Sequence, residues 1–161
     1  MRPVTAPAIE PLSADEETLV RSLARVMTVL PKLMDHDLRQ DAGISLTEYS
    51  TLMHLSEAPD RRLRMNELAT ACDLSLSGMT RAVARLESEG FVRRIRCDAD
   101  GRGWHAVLTP EGLARLEAAY PTHLRSTRRR ITDHFAGFDL DALNRALDKV
   151  GCPGSTPVVA P

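Results

Sequence analysis

The stretch from Asn66 to Leu108 constrains the fold most, because its hydrophobic period changes from helical to alternating within one short run. Met65 to Ala71 predicts a short helix anchored by Leu68, and Asp73-Leu74 reads as a turn. Ser75 then caps a second helix that runs to Glu89 and stops at Gly90. Along it Leu76, Met79, Val83 and Leu86 step by +3, +4 and +3, which predicts an inward face. Ser77, Gly78, Thr80, Arg81 and Arg85 are left outward.

After Gly90 the period drops to two. Phe91 to Arg96 reads as a strand and Trp104 to Leu108 as its partner, with Asp98 to Gly103 as the connecting tip. A helix pair followed at once by a hairpin is an arrangement for presenting one helix and one basic tip to a groove. Small residues at the start of the outward face allow close approach. The hydroxyls of Ser75, Ser77 and Thr80 suit phosphate or base edges, and Arg81 has the fork geometry for guanine. Arg85 follows one turn later. In the first strand, alternation cannot turn Arg93, Arg94 and Arg96 to one side, and Arg96 is the candidate retained. At the tip, Arg102 suits a narrow minor groove, and Asp100 can hold its guanidinium by a forked pair.

Charge supports this placement. The whole chain carries a net charge of -1, yet Arg61 to Arg102 holds nine arginines against six acids. A local basic patch on a nearly neutral molecule fits a nucleic-acid contact better than a uniform basic coat does.

The flanks predict long helices. Ser13 caps the first, Asp15, Glu16 and Glu17 complement its dipole, and it is expected to run to about Gln40 with a kink at Pro31. Its stripe is Val20, Leu23, Met27, Leu30 and Met34, widened by Leu19, Val26 and Leu33. A second helix, capped by Ser45 or Thr47, runs through Ser56 with Leu46, Tyr49, Leu52, Met53 and Leu55 as core candidates. Asp60 to Arg64 reads as a charged loop. Thr109 and Pro110 begin another long helix, bent at Pro121, whose apolar face is expected to extend through Ile131 and Phe135. A last helix, about Asp139 to Val150, shows Leu140, Leu143, Leu147 and Val150. The wide apolar faces of the terminal helices call for a second copy of the chain as cover.

The resulting organisation is a proline-bearing arm at 1–12, expected to be disordered, one domain at 13–150, and a flexible tail at 151–161. Within the domain, 13–44 and 110–150 are dimerisation helices around a reader at 45–109. The arm lacks the apolar core of a signal segment and no run is long enough to span a membrane, so a cytoplasmic protein without membrane partners is expected. Cys72, Cys97 and Cys152 have no zinc-ribbon or redox-pair spacing, and the five histidines have no metal-ligand spacing. No metal is expected. No phosphate loop, nucleophile elbow or paired-carboxylate motif supports catalysis, so the chain is not read as an enzyme.

The run Leu74 to Val92, with L-S-x-S-x-x-T-R-x-V-x-x-L-E-x-x-G-x-V, resembles the recognition-helix pattern of the multiple antibiotic resistance regulator (MarR) family. Asp100-Gly101-Arg102 followed by Leu108-Thr109-Pro110-Glu111-Gly112 resembles that family's wing element and the start of its next helix. Gly101 and Gly103 depart from the bulkier or basic neighbours common there. The resemblance covers roughly 13–150. It implies a mainly α fold with a small β-wing (α+β), namely a winged helix-turn-helix flanked by N- and C-terminal dimerisation helices. It implies a homodimer on double-stranded DNA, a repressor of a pseudo-palindromic operator with half-sites about 10 bp or a multiple apart. It also implies a small aromatic or phenolic effector between the dimer helices and the winged part, with no other cofactor. Met34, His36, Tyr49 and His54, near the junction of the first two helices, are the candidates for that cleft. Two rival readings share the fold: a regulator switched by thiol oxidation at Cys97 or Cys72, and a winged helix that contacts only protein.

Overall fold

The computed structural model describes residues 10–96 and 103–151. The element order is α1 (Ala14–Ala42), α2 (Leu46–Glu57), β1 (Arg62–Arg64), α3 (Met65–Ala71), α4 (Leu76–Ser88), β2 (Val92–Arg96), β3 (Trp104–Leu108), α5 (Pro110–Arg130) and α6 (Leu140–Gly151).

The helix starts are those that side-chain chemistry dictates. Ser13 and Ser45 each form a reciprocal capping box, with Glu16 and Glu48 respectively. Ser75 and Thr109 each accept one backbone N–H, from Gly78 and Gly112. α1 continues through Pro31 and ends at Gly43, whose left-handed φ of 64° lets its N–H reach back to the last turn. Arg115 of α5 reaches Ala42 O at 2.6 Å, and Asp35 accepts the Leu46 N–H at 2.9 Å, so the α1–α2 corner is pinned from two sides.

The core sits among α2, α3, α4 and the sheet, with Leu38 of α1 and Leu116 and Ala119 of α5 closing it. Leu52, Leu55, Leu68, Met79 and Val83 are fully buried there. Each such side chain contributes about 1.5–3 kcal/mol by leaving water.

Two expectations need correction here. Asp60 to Arg64 is not simply a charged loop: Pro59–Arg61 form one 3-10 turn, and Arg62–Arg64 pair antiparallel with β3, giving the order β1-β3-β2. Only Leu63 of β1 points partly inward, so the segment had almost no hydrophobic alternation to betray it. The helix of α5 also does not reach Phe135. Ile131 leaves the helical region (φ −128°, ψ −75°), and Thr132–Phe135 form a 3-10 turn. Two consecutive β-branched residues, Ile131 and Thr132, favour such a stop.

Asp37 ties α1 to α5. Its buried carboxylate accepts from Ser126 Oγ at 2.7 Å and pairs with Arg130 at 2.9 Å and Arg129 at 2.8 Å. The Arg130 hydrogen bonds, helped by Ser126 and Arg129, hold this carboxyl far below the usual carboxylate range despite burial.

The other anchor of α5 is Gly112, where a Cβ would lie 2.0 Å from the carbonyl oxygen of Phe91. Thr109 completes the junction: its N–H donates to Phe91 O at 3.1 Å and its hydroxyl to Gly90 O at 2.8 Å. Among the described residues, the outer side of α1 (Leu19, Val20, Val26, Met27) and of α6 (Leu140, Leu147, Val150) remains exposed.

Gly112→Ala is expected to destabilise the fold by about 2–3 kcal/mol, because the backbone must part to admit the methyl. A thermal melt checks this, and a melting temperature within a degree of wild type would contradict the contact. Asp37→Asn should cost about 2 kcal/mol at neutral pH by loosening charge-assisted bonds to partly solvated arginines. Since the folded carboxyl lies below its unfolded value of about 3.9, the Asp37 contribution is complete above that pH. It is lost progressively as pH falls further toward the folded value. Denaturant melts at pH 7 and pH 3 should therefore show wild type and variant converging on acidification.

Candidate nucleic-acid interface

α4 owes its outward face to its own anchoring. Met79, Val83 and Leu86 are buried, which fixes the rotation of the helix about its axis. Ser75 Oγ caps the start by accepting the Gly78 N–H at 3.1 Å and lies 3.1 Å from Ser77 Oγ. Asp73 reaches this turn with φ 52°, a left-handed conformation that aspartate tolerates.

Ser75, Ser77, Thr80 and Arg81 are exposed, and Gly78 is half-buried against Ser75 and Leu74. Thr80 directs its hydroxyl back to Leu76 O at 2.8 Å, so its donor belongs to the helix. Arg81 has no ion-pair or hydrogen-bond partner among the described residues. Its guanidinium, beside a shallow concavity formed with Leu76, Ser77 and Thr80, is the cationic centre of this face.

The expected inward position of Leu76 is incorrect: it is 50% exposed and lies on the same surface as Arg81. The helical spacing was right, but Leu76, at the first position of α4, lines the surface concavity while Met79 in the same turn takes the core position. Leu74, two residues earlier, packs on the core instead.

Arg85 is exposed yet committed. Its Nε lies 2.8 Å from Glu48 Oε1 and 3.6 Å from Glu89 Oε1. Glu48 is buried at the start of α2, where its other oxygen accepts from Ser45 N and Ser45 Oγ. Arg85 thus clamps α4 to α2, a role that spacing along one helix does not reveal. Arg94 is likewise engaged, bonded to Glu87 through both side chain and backbone. Arg96 lies over the Trp104 ring, 5.5 Å from its centroid, opposite it in the strand register. Asp100 and Arg102, with Cys97, lie outside the described residues.

A second site opens between α2 and α5. Tyr49 stacks on His123 with centroids 4.3 Å apart, and Met53, Ser56, Glu57, Leu116, Glu117 and Tyr120 complete a cavity of about 370 Å³. Burial lowers the His123 pKa, and its buried Nδ1 has no hydrogen-bond partner. Of the four residues proposed for an effector cleft, only Tyr49 lines this cavity; Met34 is buried, His54 half-buried and His36 exposed. His123 was not singled out because it is distant in sequence from Tyr49. Cys72 is half-buried 3.9 Å from the Thr51 hydroxyl, and burial pushes its thiol pKa up, away from the reactive thiolate.

Similarity to known proteins agrees with this geometry. Residues 42–103 match the model of the MarR family. The chain is 36% identical to Sco3205, a MarR family transcriptional regulator of Streptomyces coelicolor solved in complex with DNA; the match covers 94% of this chain and 95% of that one with a TM-score of 0.81. AbsC, a MarR family regulator from the same organism, is 34% identical over 88% of this chain and 95% of its own, with a TM-score of 0.78. The transcriptional repressor YetL of Bacillus subtilis is 32% identical over 70% of this chain, which spans 66% of that repressor. With a helix pair, a hairpin and flanking helices in this order, the chain belongs to the MarR family of winged helix-turn-helix transcriptional regulators.

Proposed function

We propose that two copies of the chain form a repressor that places one α4 in each of two successive major grooves of a pseudo-palindromic operator. The observation that carries this reading is Arg81, an exposed cation with no partner among the described residues on a helix face that bears the hydroxyls of Ser75 and Ser77. Ser75 and Ser77 supply contacts to phosphates at the helix start, and Arg102 of the wing enters the flanking minor groove with Asp100 orienting it. Arg85, held by Glu48, contributes to helix placement more than to base reading. Affinity derives largely from phosphate neutralisation and falls with salt.

The exposed apolar faces of α1 and α6 support a two-fold dimer built from both ends of the chain. The Tyr49–His123 cavity is the effector site in this reading. It is lined by two carboxylates, Glu57 and Glu117, and by no arginine or lysine. A neutral phenol fits it better than an aromatic carboxylate, since a phenol hydroxyl can donate to the neutral imidazole while a carboxylate meets like charge. Occupation shifts the α2–α5 contact, and with it the spacing of the two α4 helices, which favours a state mismatched to the operator.

Arg81→Ala should weaken binding to duplexes selected by the wild-type protein by about 1–3 kcal/mol, read by fluorescence anisotropy at fixed salt. Unchanged affinity would assign DNA reading elsewhere and favour the protein-contact alternative. Sedimentation should give twice the chain mass, and Val20→Glu with Met27→Glu should yield a monomer with greatly reduced DNA binding; a DNA-binding wild-type monomer would refute the assembly. In calorimetry, simple phenols should bind more tightly than the matching benzoates, and Glu57→Gln with Glu117→Gln should narrow the gap. The opposite preference in the wild-type protein would rule out this effector class.

A further inference from the structure

Within the winged part, residues 45–109, the described large hydrophobics that remain exposed are Leu76 and Trp104. Trp104 is covered on one face by the Arg96 guanidinium. Among the described residues Leu76 has no such cover: it is 50% exposed, while Leu74 and Met79 on either side pack on the core.

Its neighbour on the surface is Thr80, one helical turn on. Because Thr80 donates its hydroxyl to Leu76 O at 2.8 Å, its remaining feature for an outside partner is chiefly the methyl group. Leu76 and Thr80 therefore add an apolar element to a concavity whose other two residues, Ser77 and Arg81, are polar. In the major groove, thymine is the base that presents an apolar group, its 5-methyl, and aliphatic side chains are the usual partners for it.

We propose that Leu76 is a specificity-determining residue that reads thymine, its side chain covering the 5-methyl group of a T·A pair next to the base contacted by Arg81. The inference rests on α4 being the groove-reading helix. It assigns Leu76 a contact that neither salt bridges nor hydroxyl bonding supplies, and it accounts for a leucine left in water at the start of that helix. Covering one methyl is worth about fourfold in affinity.

The test uses the full-length chain and duplexes recovered by it from a random-sequence library. Each thymine of a recovered site is replaced in turn by deoxyuridine, which removes the 5-methyl and leaves pairing intact. Wild type should lose about fourfold at a symmetry-related thymine in each half-site, and Leu76→Ala should bind the thymine and deoxyuridine duplexes equally. Indifference of wild type to every replacement overturns the proposal without reference to any variant. Discrimination retained in Leu76→Ala also overturns it, as does discrimination lost only in Thr80→Ser, which would give the contact to the threonine methyl. Arg81→Ala separates this from the underlying reading: if it binds as tightly as wild type, α4 is not the reader, whereas loss of binding there with no methyl effect in wild type rejects Leu76 alone.

Discussion

The close approach of α5 to the carbonyl of Phe91 is the contact on which the rest of the molecule depends. At Gly112 there is no room for a side chain, and Thr109 bonds the carbonyls of Gly90 and Phe91 from the adjoining turn. Three pieces meet at this point: the end of α4, the start of β2 and the first turn of the long helix leading to the chain's other half. A displacement of α5 is transmitted to the base of the hairpin and the end of α4 because no compressible layer separates them. The motif Leu108-Thr109-Pro110-Glu111-Gly112 is thus a joint whose residue types follow from steric and hydrogen-bonding needs.

A second set of constraints works through buried carboxylates. Asp37 binds α1 to α5 through Ser126, Arg129 and Arg130, and Glu48 binds α2 to α4 through Arg85 while closing its own capping box. Both acids lie in helices that flank the Tyr49–His123 cavity or lead into it. The cavity, the α2 start and α4 are therefore linked by packing and by one ion pair. In the proposed effector response, this is the physical route by which occupancy alters the pose of α4.

Much of this was legible in the chain itself. Ser13, Ser45, Ser75 and Thr109 cap the helices expected of them, and the two strands after Gly90 pair as their alternation indicates. Such features are local: a hydroxyl beside a free N–H, a two-residue period, a proline at a first turn. Apart from the local stop of α5 at Ile131, the readings that needed correction depended on neighbours far along the chain. β1 exists because β3 offers it an edge, and Leu76 is exposed while Leu74 and Met79 on either side of it pack on the core. Arg85 and Arg81 are equivalent by spacing, yet among the described residues only Arg85 has an ion-pair partner.

By itself, then, the sequence determined the main helices and the hairpin after Gly90, the helix caps and the outward placement of Ser77, Thr80 and Arg81, since each follows from bonding within a few residues. The tertiary structure alone decided that Arg85 of α4 has an acid partner, that Leu76 meets solvent, and that Tyr49 and His123 share a cavity. Those outcomes depend on distances between residues that no local periodicity encodes, because they are set by how the helices cross once their apolar faces have been buried.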